Sequence, residues 1–210
     1  MSQTDKRRRP PDWNARYAAA EGRLYGDAPN EYLRMVCARS DFAARSALML
    51  ADGDGRNGAW LAGRGLMVTA VDISEVANER ATARDRAAGL QVSRITADLA
   101  DWGPPQQERF DAVFTFSLHC EPHIRARAFA RAIAALAPGG WFVVEAFART
   151  GDGPVSVGLA DQALRYDLSE LEQAAAGLDV IEAFVGRTLL HEGARHQGVA
   201  DMVRFAARSS

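Results

Sequence analysis

Short apolar runs alternate with longer amphipathic stretches along most of the chain. The apolar runs have the length and residue types of buried strands, and they lie at residues 47–50, 67–71, 92–96, 110–116 and 141–147. The amphipathic stretches predict helices at residues 57–62, 75–88 and 122–137, the last ending at Pro138-Gly139-Gly140. Because strands that alternate with helices need crossover connections, we predict a mostly parallel sheet with helices on both faces.

The C-terminal quarter follows a different pattern. After a loose stretch at residues 151–154, a helix is predicted at 168–176, with Asp167 or Ser169 as its cap. Two strand-like runs follow at residues 179–188 and 199–206. The loop between them, residues 191–198, is too short to hold a crossover helix, so we predict an antiparallel pair.

The pattern before residue 46 is less regular. Residues 1–11 are polar and basic, and we expect a disordered leader there. Residues 12–45 indicate helical segments interrupted by Gly26 and Pro29. Since no internal repeat or second apolar core is evident, residues 46–210 are interpreted as one α/β domain that follows these two segments.

Composition excludes several classes of function. The 210 residues carry 25 basic and 27 acidic side chains, and this balance disfavours a nucleic-acid partner. No apolar run approaches the roughly 20 residues that span a bilayer, and no signal peptide precedes the domain, so no membrane partner is expected. Cys37 and Cys120 form no disulfide framework, which favours the reducing cytoplasm. The sequence does not indicate an oligomeric state.

Lysine is almost absent from the chain. Lys6 is the only lysine, and the other 24 of the 25 basic residues are arginine. A Walker A loop, a pyridoxal phosphate Schiff base and the Tyr-xxx-Lys pair of many reductases all need a lysine in the folded domain. These three kinds of site are therefore excluded.

A glycine-rich loop follows the first predicted strand. It reads Gly53-Asp54-Gly55-Arg56-Asn57-Gly58, a spacing that lets backbone approach a ligand at a helix N-terminus. Asp72 ends the second strand, where a carboxylate can accept hydrogen bonds from a ribose diol. A nicotinamide dinucleotide and S-adenosylmethionine both present such a ribose. Asp52 and Asp54 flank Gly53 and would repel a pyrophosphate, which favours the cationic S-adenosylmethionine.

Two further positions follow predicted strands. Asp98-Leu99 comes after the third strand and offers a carboxylate and an apolar side chain for an adenine ring; a loop-capping role for Asp98 is the alternative. His119 comes after the fourth strand and is the best candidate for a general base, with a histidine held by a loop hydrogen bond as the alternative. No metal site is expected in His119-Cys120-Glu121-Pro122-His123, because Pro122 begins a helix and the spacing fits no closed site.

Longer motifs resemble those of a known family. They are Trp13-Asn14-Ala15-Arg16-Tyr17, Tyr25-Gly26-Asp27-Ala28-Pro29-Asn30, LMLADGDGRNGAWLAGRGLMVTAVDIS, FDAVFTFSLHC, LAPGGWFVVEAF and HEGARHQGVADMVRFAAR. With them the chain resembles class I S-adenosylmethionine-dependent methyltransferases, in the bacterial branch related to tellurite-resistance and thiopurine methyltransferases. The resemblance implies a Rossmann-like fold with seven strands, mostly parallel, and an antiparallel last strand. Met49 and Ala51 depart from the acidic residue and the first glycine usual in the family.

The resemblance also implies site residues. It makes residues 12–45 a lid that carries Trp13, Tyr17 and Tyr25, and it places Glu192 and His196 at an acceptor pocket. The expected contacts to the S-adenosylmethionine cofactor are Tyr17, Tyr25, Asp52, Gly53, Gly55, Asn57, Asp72, Ile73, Asp98, Leu99 and Ser117.

The function expected from these features is methyl transfer from S-adenosylmethionine to a small molecule. The resemblance suggests a soft nucleophile, either a thiol or an oxyanion of tellurium or selenium. Two alternatives stay open. The glycine loop and Asp72 also fit an NAD(P)-dependent oxidoreductase, and Met49 and Ala51 fit a non-catalytic nucleotide-binding protein.

Overall fold

A computed structural model describes residues 12–149, 155–193 and 195–210. The predicted leader, residues 1–11, and the loose stretch at 151–154 lie outside the described residues. The helices are α1 Trp13–Ala18, α2 Glu31–Cys37, α3 Arg56–Gly63, α4 Glu75–Ala87, α5 Pro122–Ala134 and α6 Leu168–Ala174, with a short 3₁₀ helix at Gln162–Leu164. The strands are β1 Ser46–Leu50, β2 Met67–Asp72, β3 Val92–Thr96, β4 Phe110–Phe116, β5 Leu136–Phe147, β6 Asp179–Glu192 and β7 His196–Arg208.

The strands form one seven-stranded sheet in the order β3-β2-β1-β4-β5-β7-β6. Strands β1 to β5 pair in parallel, and β7 is antiparallel to both β5 and β6. The predicted fold class and the antiparallel final pair are confirmed. The strand order reverses direction at β1 and β4, and in open α/β sheets ligands bind outside the carboxyl ends of the strands at such a point.

Both faces of the sheet are buried in apolar cores. On β1, Leu48 and Leu50 join the core cluster that includes residues of α5 and α6, whereas Ala47 and Met49 join the cluster that includes residues of α2 and α3. Burial of each large apolar side chain contributes about 1.5–3 kcal/mol. The central strands are therefore fixed from both sides, and their carboxyl ends form a rigid platform.

Two predicted boundaries were wrong. Helix α5 ends at Ala134 rather than at 137, and residues 136–140 belong to β5, where Leu136 pairs with Phe110. Leu136 pairs with Phe110 of β4, and this pairing brings residues 136–140 into the sheet before Pro138 is reached. The loop predicted at 191–198 is also shorter, because Glu192 pairs with His196 at the end of the β6–β7 hairpin. Glu192, His196 and Gln197 are polar, so an analysis of apolar runs does not include these ends of β6 and β7.

The N-terminal segment is held by two capped helices. Asp12 Oδ1 accepts from Ala15 N at 3.0 Å at the start of α1, and Asn30 Oδ1 accepts from Leu33 N at 2.9 Å at the start of α2. Between the helices the chain passes the glycine loop, where Leu24 N donates to Asp54 Oδ2 at 3.1 Å. In the described ranges, no helix combines the length and the apolar character needed to cross a membrane.

Candidate cofactor and acceptor site

The glycine loop lies at the carboxyl end of β1 and needs glycine for steric reasons. Gly53 and Gly55 have φ values of +58° and +86°, in the left-handed region. A Cβ on Gly55 would lie 2.7 Å from Ala81 Cβ and would also collide with the Arg94 guanidinium. Gly55 is the N-cap of α3, so the loop delivers the chain directly into that helix.

Asp72 connects the end of β2 to this loop. Its Oδ2 accepts from Gly53 N and its Oδ1 accepts from Ser74 N, both at 2.8 Å. The side chain is buried, and burial raises the pKa of the carboxyl. Each carboxylate oxygen accepts more than one hydrogen bond. Asp72 therefore fixes the loop while keeping acceptor capacity for a diol.

The loop carboxylates differ from the expectation. Asp52 lies beneath the loop, where Oδ2 binds Arg94 Nη1 at 3.0 Å and Oδ1 accepts from Gly58 N at 3.0 Å. Its side chain has no solvent exposure, and burial raises its pKa to about 6. Asp54 faces Arg84 at 3.4 Å. Since both carboxylates have cationic partners, the inference that they repel a pyrophosphate does not hold.

A different property of the loop disfavours a pyrophosphate. The amides of Gly53, Gly55 and Gly58 already donate to protein acceptors, namely Asp72 Oδ2, the Asp52 carbonyl at 3.1 Å and Asp52 Oδ1. Loops that cradle phosphates leave such N–H groups free for the ligand. These three amides therefore offer no donors to a dinucleotide.

Ala51 occupies the position of the usual first glycine in a left-handed conformation, with φ of +56°. A residue with a Cβ pays about 1–2 kcal/mol for this conformation. We therefore expect Ala51→Gly to raise the free energy of unfolding by about 1 kcal/mol, measured by urea denaturation. Ala47→Gly, the same change in extended β1, should lower it. Equal effects of the two substitutions would show that Ala51 is not strained.

Aromatic residues of the N-terminal segment lie against the loop and beyond it. Tyr17 is buried, and its hydroxyl lies where a Cβ on Gly53 would project. Burial and the nearby Asp72 carboxylate raise the pKa of Tyr17. The Tyr25 ring packs on His196, with ring centroids 4.8 Å apart. Tyr17 therefore lies against the glycine loop, and Tyr25 lies against the start of β7.

A chain of rings continues from this pair across the carboxyl edge of the sheet. The centroid of Phe147, at the end of β5, lies 5.5 Å from His196 and 5.9 Å from His119. The His119 ring lies 6.2 Å from Trp13. We call these five residues the aromatic wall: Trp13, Tyr25, His119, Phe147 and His196.

Both histidines of the aromatic wall are neutral near pH 7. Burial lowers the pKa of His119 to about 3, and nearby His196, Arg16 and Arg125 also oppose its protonation. Burial lowers the pKa of His196 to about 4. The His119 Nε2 atom is buried and finds no hydrogen-bond partner among the described residues. A proton on His119 would therefore be strongly disfavoured.

Three other expected cofactor contacts, Asn57, Asp98 and Leu99, have partners within the protein. Asn57 Oδ1 accepts from Asn30 N at 2.8 Å and so holds the N-terminal segment. Asp98 is exposed, and its Oδ1 accepts from Ala100 N at 2.8 Å, as a loop cap does. Leu99 is buried in the apolar core. These three side chains therefore have structural roles in this arrangement.

Ile73 and Ser117 lie at strand ends beside the site. Ile73 follows Asp72 directly and is half-exposed. Ser117 follows β4 with φ of +58°, and its amide donates to the Glu145 carbonyl at 2.8 Å. Both remain predicted cofactor contacts.

A buried polar cluster that no sequence pattern predicts lies beside the site. Asn30, Arg56, Glu145, Glu192 and Arg204 are joined by hydrogen bonds, and we call them the hairpin clasp. The Glu192 carboxylate is bound by Arg56 and Asn30, and its place at the acceptor pocket stays a prediction. Asn30 before α2 is recognisable as an N-cap, whereas nothing in the sequence pairs Arg56 with Glu192.

Within the ranges that the structure covers, no group of three or more His, Cys, Asp or Glu side chains could hold a metal ion. In the segment considered above, His123 is exposed and lies 3.3 Å from Glu121.

Comparison with known proteins identifies related sequences and folds. Residues 47–140 match the family model described as a methyltransferase domain. A search of curated proteins found no matching sequence. The family match confirms the resemblance to methyltransferases, and it covers the loop, Asp72 and His119.

Solved structures share the fold at low sequence identity. TehB from Haemophilus influenzae matches with a TM-score of 0.71 and 17% identity, over 86% of this chain and 62% of TehB. A protein from work on the conversion of a disulfide bond into a thioacetal group during echinomycin biosynthesis matches with a TM-score of 0.71 and 20% identity, over 94% and 90% of the two chains. Magnesium protoporphyrin IX methyltransferase from Synechocystis PCC 6803 with bound SAM matches with a TM-score of 0.61 and 16% identity, over 85% and 76%.

Proposed function

We propose that this chain, a methyltransferase that uses S-adenosylmethionine, transfers the methyl group to a small molecule with a soft nucleophile. The observation that carries the proposal is the junction of Asp72 with the glycine loop at the strand-order reversal. One of the structural neighbours is described with bound SAM. We propose the cytoplasm as its location, since Cys37 and Cys120 are both free.

The residues around the junction fit the cofactor. Asp72 offers acceptor lone pairs to a ribose diol, and Gly53 lacks the Cβ that would collide with the Tyr17 hydroxyl. When bound, S-adenosylmethionine supplies an electrophilic methyl group on a sulfonium. Tyr17 lies directly over Gly53 and would exclude water from that end of the site. Ile73, which follows Asp72, and Ser117, which follows β4, remain predicted contacts.

The aromatic wall supports an acceptor that needs no general base. With S-adenosylmethionine held at Asp72, the acceptor would need only a lone pair aligned with the methyl group, and no residue of the chain would have to take a proton from an acceptor that is already ionised. His119 is neutral, and its pKa of about 3 makes it a poor recipient for a proton. A thiolate or a chalcogen oxyanion is already deprotonated, so alignment alone suffices. The neighbour from echinomycin biosynthesis is described with chemistry at sulfur, which agrees with a soft acceptor.

We expect His119→Asn to retain methyl transfer within about tenfold, because displacement depends on geometry when no proton must leave. The measurement is the rate with thiophenol as a probe acceptor, from pH 6 to pH 9. The rate should rise with ionisation of the thiol, and its pH profile should show no inflection from His119. A loss of about a hundredfold with cofactor binding intact would instead make His119 a general base.

A panel of probe acceptors tests the substrate class itself. Thiophenol, selenite and tellurite should be methylated faster than aniline or phenol, which hold their protons or are harder nucleophiles. Faster transfer to the amine or the phenol would overturn the proposed acceptor class and leave the cofactor assignment intact.

A further inference from the structure

The tip of the β6–β7 hairpin lies against the segment that precedes α2. Glu192 Oε2 pairs with Arg56 Nη2, and Glu192 Oε1 accepts from Asn30 Nδ2 at 3.0 Å and from Glu31 N at 2.9 Å. The side chains of Arg56 and Glu192 are each only 8% exposed. The hairpin tip is therefore tied to the start of α2 and to the start of α3.

Arg56 extends this tie to the backbone of the N-terminal segment. Its Nη1 donates to the carbonyl oxygens of Tyr25 and Ala28, both at 3.1 Å. Arg56 also follows Gly55 directly as the first residue of α3. The Arg56 guanidinium thus joins the glycine loop, the backbone of Tyr25 and the hairpin.

Asn30 completes the hairpin clasp. Its amide nitrogen donates to Glu145 Oε1 at 2.6 Å as well as to Glu192, which uses both amide hydrogens. Glu145 is neutralised by Arg204 Nε at 2.6 Å. The clasp therefore holds two carboxylates and two guanidiniums, with no net charge, and removal of one partner leaves a buried charge unpaired.

The two backbones also touch without side chains. A Cβ on Gly26 would lie 2.9 Å from Gly193 Cα, and a Cβ on Gly193 would lie 2.5 Å from Gly26 N. Both glycines have positive φ, +83° and +59°. We call this backbone contact between Gly26 and Gly193 the seam. It depends on the absence of a Cβ at either position, independently of the charges in the clasp.

We propose that Arg56, Glu192 and Gly193 are positioning residues that latch residues 21–30 onto the hairpin tip and thereby fix Tyr25 against His196 in the aromatic wall. The proposal deepens the proposed function, since the aromatic wall is taken as the acceptor side of the site. Without the latch, residues 21–30 lose their ties to the hairpin and stay attached through the bonds of Leu24 N to Asp54 and of Asn30 N to Asn57. Helix α1 keeps a separate tie, because Arg80 Nη1 donates to the Ala20 carbonyl at 2.9 Å and to that of Tyr17. The latch thus fixes the position of Tyr25 on the acceptor side of the site without contacting the acceptor.

Hydrogen exchange of the full, ligand-free chain tests the latch with two pairs of variants. Glu192→Gln removes the charge that pairs with Arg56, and Glu170→Gln is its control, since Glu170 pairs with Arg125 at 2.5 Å elsewhere in the fold. Gly193→Ala blocks the seam, and Gly177→Ala is its control, because Gly177 has φ of +92° but no atom near its Cβ position.

In Glu192→Gln and Gly193→Ala, amides of residues 21–30 should exchange about tenfold faster or more, with β4 unchanged and neither control affected. The KM for the thiophenol probe should rise in both variants, while the Kd for S-adenosylhomocysteine stays within about threefold. Unchanged protection of residues 21–30, or equal loss of protection in β4, would overturn the latch. Failure of S-adenosylhomocysteine to bind the wild type would overturn the proposed function instead, and the exchange result would stand without it.

Discussion

Replacement of Asp72 by alanine is expected to lower the affinity for S-adenosylmethionine by about 30- to 1,000-fold. A ribose diol that donates two hydrogen bonds to a carboxylate forfeits on the order of 2–4 kcal/mol when the carboxylate is removed. The same change frees Gly53 N, so the glycine loop also loses the bond that holds it to β2. Calorimetric titration of the folded variant measures the loss.

Asp111→Ala is the matched control for this prediction. Asp111 Oδ2 also ties two backbone amides, those of Arg45 and Ser46 at 2.8 and 2.9 Å, but at the amino end of β1. Its replacement should cost stability and leave cofactor affinity unchanged. If Asp72→Ala binds S-adenosylmethionine as tightly as the wild type, the ribose site lies elsewhere.

Replacement of Arg94 by methionine is expected to lower the free energy of unfolding by about 3–5 kcal/mol at pH 8. Arg94 binds Asp52 at 3.0 Å and Asp85 at 2.7 Å, and its side chain is 3% exposed. Methionine fills a similar volume but leaves two buried carboxylates without their cation. Urea denaturation measures the change, and Arg39→Met serves as control because the Arg39–Asp41 pair is solvent-exposed.

The loss of unfolding free energy caused by Arg94→Met should be smaller at pH 5 than at pH 8. Burial holds the pKa of Asp52 at about 6, above the value of about 3.9 for an unfolded aspartate. A carboxyl with a raised native pKa favours folding as the pH falls, because the native state takes up the proton first. Loss of the guanidinium raises this pKa further and so enlarges the effect. A deficit independent of pH would show that the loss comes from packing rather than from unpaired charge.

The repeating units of the fold were predictable from local pattern. The bounds predicted for the strands Val92–Thr96 and Phe110–Phe116 are the bounds that the structure has. The antiparallel final pair followed from loop length alone. The end of α5 was not predictable from the local pattern, because the sequence after Ala134 stays apolar. Only its pairing with Phe110 makes it a strand.

Site residues were predictable where a strand end fixes their place. Asp72 and the glycine loop follow directly from β2 and β1, and the structure joins them through one hydrogen bond. The role of Asp52 was not predictable, since its partner Arg94 lies on β3 and is 42 positions away in the sequence. Sequence shows which charges exist near the loop, but only the fold shows which of them are neutralised.

The hairpin clasp was even less predictable from the sequence than the role of Asp52. Asn30 and Glu192 are 162 positions apart, and each alone has an ordinary local role, as a helix cap and as a strand end. A buried polar network of this kind depends on five elements meeting at one point, namely the start of α2, the start of α3, β5, β6 and β7. No periodicity or spacing in the chain encodes that meeting.

Parallel calorimetric titrations of the wild type with S-adenosylmethionine and with NADH distinguish a methyltransferase from a dinucleotide-binding protein. We expect S-adenosylmethionine to bind at one site with a Kd on the order of micromolar. We expect no binding of NADH, because the amides of Gly53, Gly55 and Gly58 already have protein acceptors. Binding of NADH without binding of S-adenosylmethionine would contradict the assignment and make the chain a dinucleotide-binding protein.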